Sequence, residues 1–244
     1  METAASGTVP ADFMARGHKT MAAQQPEAPG VDGVQSLEVR WIFPGRLETT
    51  MTEWFGRFPA VLESREDCYL RDPRLRGPSV KIRGGRALEV KVYRGSPGVL
   101  DVPGRARGRM ESWEKWSFPV ARPGQGHAAP AGWTLVRKRR RIIRFPPAGA
   151  GGGRGQAGLP GPGAKRGCGV ELTEIGVDGE AWWSLGFEAA GLASAGLLRR
   201  DLEAAAALVF ARDLPEAREL GADDSMSYAE WLGGQLRAGS NADA

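Results

Sequence analysis

The chain has 244 residues, 41% hydrophobic and 25% charged, with a net charge of +4, as in an ordinary soluble protein of one large or two small domains. It has only two cysteines, and they lack metal-type spacing, so a disulfide-rich scaffold is not indicated. No apolar run reaches the roughly 18 residues of a membrane helix. With no basic segment leading into an apolar run near the start, the sequence predicts a cytoplasmic protein with reduced thiols.

The first predicted elements are a tail, two strands and one helix. Residues 1–35 mix Ala, Gln, Pro and Gly without hydrophobic periodicity, which predicts a disordered tail. Residues 37–43 and 63–70 have the alternating character of strands. The aromatic residues of 50–58 are spaced as on one face of a short amphipathic helix, which we place between these strands.

A charged hairpin follows. Residues 79–83 and 87–93 alternate apolar and charged side chains on either side of Gly84-Gly85, a pair that favours a two-residue hairpin turn. Residues 95–109 are rich in Gly, Pro and Arg, which predicts a loop or a loosely formed edge.

The later strands are interrupted once. Residues 109–118 and 133–145 predict two more strands, separated by a Pro/Gly loop. Residues 146–167 are rich in Gly and Pro and contain few apolar groups, so we predict a flexible insertion. Residues 170–175 and 181–188 predict a final hairpin.

Helical periodicity begins after this hairpin. Residues 197–209 fit a helix, and a second one could start at 213–216. Ser227 and Glu230 form a capping-box pattern, with Ser227 as N-cap and Glu230 reaching back, which predicts a short terminal helix. The last residues, 237–244, are predicted to be disordered.

The order of elements predicts one domain over residues 36–236, with antiparallel strands first and helices last, in an α+β or closed-barrel arrangement.

The charge of the chain is unevenly divided along its length. Residues 36–144 carry 23 Lys and Arg against 11 Asp and Glu, a net +12, whereas residues 168–244 carry 5 against 14, a net −9. The basic part favours an anionic ligand, although the two parts can equally neutralise each other on folding.

Motifs of several common enzyme classes are absent. The chain has neither a Gly-x-x-x-x-Gly-Lys-Ser/Thr loop nor a Gly-x-Ser-x-Gly elbow. His18 lies in the tail and His127 in a Gly/Pro loop, which does not favour a histidine general base. Cys68 and Cys168 have no histidine nearby in sequence, which argues against a thiol nucleophile.

The predicted strands carry charges of both signs at alternating positions. These residues are Glu38, Arg40, Lys81, Arg83, Glu89, Lys91, Glu111, Glu114, Lys115, Arg137, Lys138, Arg139, Arg140, Arg141, Glu171 and Glu188, so both faces of the 133–145 strand carry cations. Several cations on one sheet face match the charge and oxygen geometry of a polyphosphate, and carboxylates among them can hold Mg²⁺. Alternatively these faces are solvated and their charges form cross-strand ion pairs.

The tryptophans allow a further alternative. Trp113 and Trp116 flank charged residues, and Trp182 and Trp183 are adjacent. Aromatic residues on basic strands can stack on the bases of a single-stranded nucleic acid, for which they would have to share a face with Arg137–Arg141. The plainer interpretation is that they pack in the core or under helices.

Several segments, taken in order, resemble motifs of the CYTH, or triphosphate tunnel metalloenzyme, superfamily. The family's opening Glu-x-Glu-x-Lys is similar to Ser36-Leu37-Glu38-Val39-Arg40, and its Arg-x-Arg strand is similar to Lys81-Ile82-Arg83. Its lysine-bearing strand is similar to Leu88-Glu89-Val90-Lys91, and its later basic strand is similar to Val136-Arg137-Lys138-Arg139-Arg140. Its acidic late hairpin is similar to Leu185-Gly186-Phe187-Glu188, and its terminal Ser-Tyr helix is similar to Ser225–Leu232. The resemblance spans residues 36–236 outside the insertion. It implies an antiparallel, eight-stranded, tunnel-like β-barrel with C-terminal helices.

The resemblance also implies roles. The ligand would be a small anionic phosphorylated molecule, such as inorganic or organic triphosphate. Glu38 and Glu89 would be catalytic and position the attacking water, and Glu171 and Glu188 would hold Mg²⁺ or Mn²⁺. The residues implied to bind phosphates are Arg40, Lys81, Arg83, Lys91, Lys138 and Arg140.

The chain departs from the family pattern at three positions, two of which concern acidic residues. Ser36 stands where the family has its first glutamate, Arg40 stands where it has lysine, and Glu188 stands alone where it typically has an acidic pair. Fewer carboxylates weaken a metal site. A non-catalytic phosphate-ligand or RNA-binding module on the same scaffold is therefore the alternative to a metal-dependent triphosphate hydrolase.

Overall fold

The computed structural model describes residues 33–72, 77–120, 132–149 and 166–240. In these ranges the chain forms eight strands and three α-helices. The strands are β1 (Val34–Pro44), β2 (Val61–Leu70), β3 (Pro78–Arg83), β4 (Ala87–Val102), β5 (Ala106–Pro119), β6 (Trp133–Phe145), β7 (Gly167–Val177) and β8 (Glu180–Ala190), and the helices are α1 (Thr49–Phe55), α2 (Ala195–Val209) and α3 (Tyr228–Ser240). The predicted tail (1–35), loop with His127, Gly/Pro-rich insertion (146–167) and disordered end (237–244) fall largely on 1–32, 121–131, 150–165 and 241–244, which lie outside the described residues. Within the described residues the predicted bounds are too wide: Val34 and Gln35 belong to β1, Gly167 begins β7, and residues 237–240 belong to α3.

The strands close into one antiparallel barrel in the order β1-β5-β4-β3-β2-β6-β7-β8. This confirms the predicted α+β tunnel-like barrel with helices at its C-terminal end. No helix in the described ranges is long and apolar enough to cross a membrane.

The prediction of a loop over residues 95–109 is wrong. Strand β4 continues to Val102, and β5 begins at Ala106 after a tight turn. The ladder between them shifts register at Gly95 and Gly98, whose φ angles are +121° and +131°. Because glycine adopts such angles readily, the Gly-rich segment forms β-bulges rather than ending the strand.

The largest apolar core lies outside the barrel wall. The outward faces of β1, β7 and β8 are apolar and pack against α1 and α2. The fully buried side chains include Trp41, Leu172, Phe187, Leu202 and Phe210. Since alternate residues of a strand point to opposite sides, this external core leaves the other face of the same strands to the barrel interior.

A second apolar cluster closes one end of the barrel. The inward residues Val136, Ile175 and Val177 pack with Trp231 and Leu232 of α3. As predicted, α3 begins after Ser227, whose Oγ accepts a hydrogen bond of 3.2 Å from the backbone N–H of Glu230. The Glu230 carboxylate instead accepts from Arg109 on β5. The possible helix at 213–216 is a single 3₁₀ turn, Pro215–Ala217.

Candidate functional site

The barrel encloses a cavity of about 580 Å³ to which all eight strands contribute. Eleven cationic and five carboxylate side chains line it, and four further carboxylates, Glu63, Asp67, Asp201 and Glu230, pair with some of these cations from behind the cavity surface. The lining residues are Arg40, Arg65, Lys81, Arg83, Lys91, Arg109, Lys115, Lys138, Arg140, Arg144 and Arg166, with Glu38, Glu89, Glu111, Glu171 and Glu188. An interior with this many cationic groups is suited to a compact anion of high charge.

All ten side chains to which the sequence assigns a site role line this cavity. They come from six strands, yet strand alternation places them on one surface because each sits on the inward face of its strand. Their individual roles remain predictions. On β6 the alternation separates inward Lys138 and Arg140 from outward Arg137, Arg139 and Arg141.

Glu171 is the centre of the most buried charge cluster. Its carboxylate lies 2.7 Å from Arg40 Nη2 and also accepts from Arg140, which pairs with Glu63 at 3.1 Å. Burial would raise the pKa of Glu171, but the charges of Arg40 and Arg140 outweigh it and hold the pKa well below its usual range. At Gly186 a Cβ atom would lie only 2.7 Å from the Arg40 guanidinium carbon, so the glycine makes room for it.

Helix α3 contributes Tyr228 to the cavity. The Lys138 ammonium lies 3.7 Å from the centre of the Tyr228 ring, and the Arg40 guanidinium lies 4.6 Å from it. Lys138 also donates a hydrogen bond of 2.7 Å to Tyr69 Oη. Burial lowers the pKa of Lys138, so the two tyrosines help to hold a poorly hydrated cation in place.

Asp67 on β2 organises a third cluster. It is fully buried, accepts from Arg65 Nη2 at 3.2 Å, and lies 3.4 Å from both Lys81 and Lys138. Lys81 in turn lies 3.2 Å from Glu89. Asp67 therefore holds three cavity cations from below the cavity surface.

A fourth cluster lies across β8, β1 and β4. Glu38 and Glu188 are cross-strand neighbours, and Lys91 reaches both of them. Lys115 lies 3.8 Å from Glu188. The charge of Lys91 lowers the pKa of Glu188 to about 2, although burial acts in the opposite direction.

Sequence reasoning missed most of the contribution of β2. Its inward residues are Glu63, Arg65, Asp67 and Tyr69, which alternate along a segment that was predicted as a strand. The alternation of inward and outward side chains would have identified these four residues once the other strands were assigned to a closed barrel. Tyr228 lies in the segment that resembles the family's terminal Ser-Tyr helix, but the sequence assigned it no site role, and only the packing of α3 brings its ring to Lys138.

The arrangement of the described residues does not fit a resident Mg²⁺ or Mn²⁺. Among them no group of three or more His, Cys, Asp or Glu side chains is positioned to hold a metal ion. Glu171 is bound by two arginines, and Glu188 lies close to two lysines. A divalent cation at Glu171 would have to displace an arginine, and one at Glu188 would be repelled by the two lysine ammonium groups.

The outer basic face of β6 is neutralised locally. Arg137 lies 3.0 Å from Glu66, and Arg139 and Arg141 both pair with Glu174. Trp183, by contrast, is in the apolar core beside β1. This face therefore has the cross-strand ion pairs of a solvated sheet rather than a row of free cations with stacking aromatics.

We expect acid to destabilise the barrel through Asp67. Burial would raise its pKa, but Lys81, Lys138 and Arg65 lower it to about 2 from an ordinary 3.8. The ionised form is thus favoured by folding, and this stabilisation, on the order of 2 kcal/mol, is present above about pH 4 and lost as the pH falls towards 2. Between pH 5 and pH 2, urea unfolding should show a smaller loss of stability for Asp67→Asn than for the unchanged protein.

Glu66→Gln is the matched control for this prediction. Glu66 is the next residue on β2 but faces solvent, where it pairs with Arg137. The stability of the Glu66→Gln variant should depend on pH in the same way as that of the unchanged protein. Equal slopes for Asp67→Asn and Glu66→Gln would show that Asp67 is not the group responsible.

No model of a protein family matches the chain, and no curated protein does. Similar solved structures include a conserved hypothetical protein from Pyrococcus furiosus, with 17% identity over 79% of this chain and 98% of that chain and a TM-score of 0.37. A Mimivirus capping enzyme triphosphatase is 7% identical over 72% and 89%, with a TM-score of 0.36. The S. pombe Pct1 RNA triphosphatase, in complex with the Spt5 CTD, is 10% identical over 86% and 82%, with a TM-score of 0.34.

Proposed function

We propose that the protein binds the triphosphate group, or another polyphosphate group, of a small ligand inside its barrel. The observation that carries this proposal is a cavity of about 580 Å³ lined by eleven cationic side chains. The volume is within the range of small-molecule sites, and guanidinium and ammonium donors are those that phosphate oxygens favour. The resemblance of the sequence to the triphosphate tunnel superfamily supports the same ligand class.

The ion pairs within the cavity position its cations. Glu171 holds Arg40 and Arg140 at the cavity wall, and an incoming phosphate competes with this carboxylate for their guanidinium groups. Arg144 lines the cavity as an exposed side chain, and no ion pair of it is found among the described residues. Bound phosphate would compete with glutamates for some cations and neutralise the remaining ones.

Calorimetry with inorganic tripolyphosphate tests the proposal, first without divalent metal and then with Mg²⁺. We expect saturable binding and a rise in melting temperature on ligand addition. Single-stranded RNA without a 5′ triphosphate should bind much more weakly. Tighter binding of that RNA than of tripolyphosphate would favour the nucleic-acid alternative, and no tripolyphosphate binding in either buffer would refute the proposal.

A matched pair of variants on β6 locates the site. Arg140 faces the cavity and Arg141 faces outward, and both are ion-paired side chains of low exposure. Arg140→Met should weaken tripolyphosphate binding tenfold or more, about 1.4 kcal/mol, because it removes a phosphate ligand. Arg141→Met should change the affinity less than twofold. Equal effects of the two variants would place the binding site elsewhere.

Phosphate release in the same samples separates a binder from a hydrolase. We expect no metal-dependent release, because the carboxylates needed for a metal are occupied by cations. Turnover that requires Mg²⁺ or Mn²⁺ and is lost in Glu38→Gln would instead establish the hydrolase implied by the resemblance.

A further inference from the structure

Three inward carboxylates lie side by side on neighbouring strands. Glu38 on β1 is in register with Glu111 on β5 and with Glu188 on β8. Adjacent carboxylates repel one another, and an oxygen-rich group of this kind is what a divalent cation would ordinarily neutralise. In this barrel each carboxylate has a partner from the chain itself.

Glu111 is bound by its own strand. Its Oε1 lies 2.7 Å from Arg109 Nη2, and its Oε2 accepts a hydrogen bond of 3.2 Å from the Trp113 indole. Both oxygens of Glu111 therefore have a partner from its own strand.

Lys91 occupies the position between the other two carboxylates. Its ammonium donates to Glu38 Oε1 and lies 3.7 Å from Glu188 Oε1, which Lys115 approaches to 3.8 Å. Ser36, which is buried, donates its hydroxyl to the same Glu38 oxygen at 2.7 Å. Two lysines thus neutralise two glutamates, and one of the Glu38 oxygens already accepts two hydrogen bonds.

We propose that the Lys91 ammonium serves in place of a divalent cation between Glu38 and Glu188, so that the barrel binds polyphosphate without a metal ion. A tethered ammonium is present at high effective concentration, so Lys91 competes with a divalent cation for Glu38 Oε1 and Glu188 Oε1. The lysine also supplies positive charge facing the cavity, which a phosphate group can share. The part of this inference that concerns polyphosphate rests on the function proposed above, whereas the part that concerns the metal stands on the three side chains alone.

Direct Mn²⁺ titration tests the metal part. In calorimetry and thermal-shift measurements with Mn²⁺ alone, Lys91→Met should bind at least tenfold more tightly than the unchanged protein, because Glu38 and Glu188 lose their shared cation. The double variant Lys91→Met with Glu188→Gln should lose this gain. Equal Mn²⁺ affinity of Lys91→Met and the unchanged protein would overturn the inference.

Two further variants serve as controls. Lys91→Arg keeps the positive charge and should gain no Mn²⁺ affinity. Arg94→Met removes a cation from the same strand, but one that faces outward and pairs with Glu114. It should also gain none, and a gain as large as that of Lys91→Met would contradict the assignment of the site to Lys91.

A measurement on the unchanged protein does not depend on how the variants fold. Its tripolyphosphate affinity should change less than twofold between a chelating buffer and one with excess Mg²⁺, after correction for the Mg²⁺–tripolyphosphate equilibrium. A tenfold loss on chelation would overturn the metal-free part of the inference while leaving polyphosphate binding intact. Failure of tripolyphosphate to bind in both buffers would refute the proposed function, and the Mn²⁺ titration would still decide the role of Lys91.

Discussion

Replacing Glu171 with Gln should weaken the fold and strengthen polyphosphate binding at the same time. The substitution removes the negative charge between Arg40 and Arg140, two cations that lie largely out of solvent. Arg40 would lose its ion pair and Arg140 would keep only the one with Glu63, and breaking a buried ion pair in this way costs about 3 kcal/mol. Phosphate oxygens would no longer compete with Glu171 for the two guanidinium groups, so we expect the affinity for tripolyphosphate to rise about tenfold.

Urea unfolding gives the stability change, and calorimetry gives the affinity. The matched control is Glu174→Gln, on the same strand but facing outward, where the carboxylate pairs with Arg139 and Arg141. This solvent-side pair should contribute at most about 1 kcal/mol, and its loss should leave the affinity unchanged. Weaker tripolyphosphate binding in Glu171→Gln would contradict the prediction, since it would mean that Glu171 takes part in binding, as a metal ligand would.

Replacing Trp231 with Ala should open the end of the barrel that α3 closes. The Trp231 ring is buried, lies 5.3 Å from the Trp182 ring and 5.9 Å from the Tyr228 ring, and anchors α3 to the inward apolar residues. Removing a buried tryptophan costs about 3–5 kcal/mol. Because the same helix carries Tyr228, tripolyphosphate affinity should also fall, as Lys138 and Arg40 lose the ring against which they lie.

Phe118→Ala on β5 is the control, since this aromatic ring is 38% exposed and its loss should cost much less. Thermal melting and calorimetry of both variants measure the two effects. A Trp231→Ala protein with unchanged melting temperature would show that α3 does not close the barrel. A destabilised variant with unchanged affinity would show that Tyr228 is not needed for the site.

The inward side chains could be predicted wherever local alternation is strong. Lys81 and Arg83, or Glu89 and Lys91, fall on one face of a strand whatever the strand's partners are, because side chains alternate with a period of two. The bulged region around Gly95 and Gly98 could not be predicted in this way. There a Gly-rich composition is compatible with a loop and with a bulge, and only the ladder to β5 selects the bulge.

The sequence by itself determined which side is charged in the strands with strong alternation, and with the family resemblance it indicated a tunnel and ten of the residues that line it. Tertiary structure alone decided which charges neutralise one another. Lys91 is 53 residues from Glu38 along the chain, yet the two meet because β4 and β1 are both neighbours of β5 in the closed barrel. Ion pairs across a barrel depend on strand order and register, which local patterns do not contain, and these pairs decide whether a carboxylate is free to hold a metal ion.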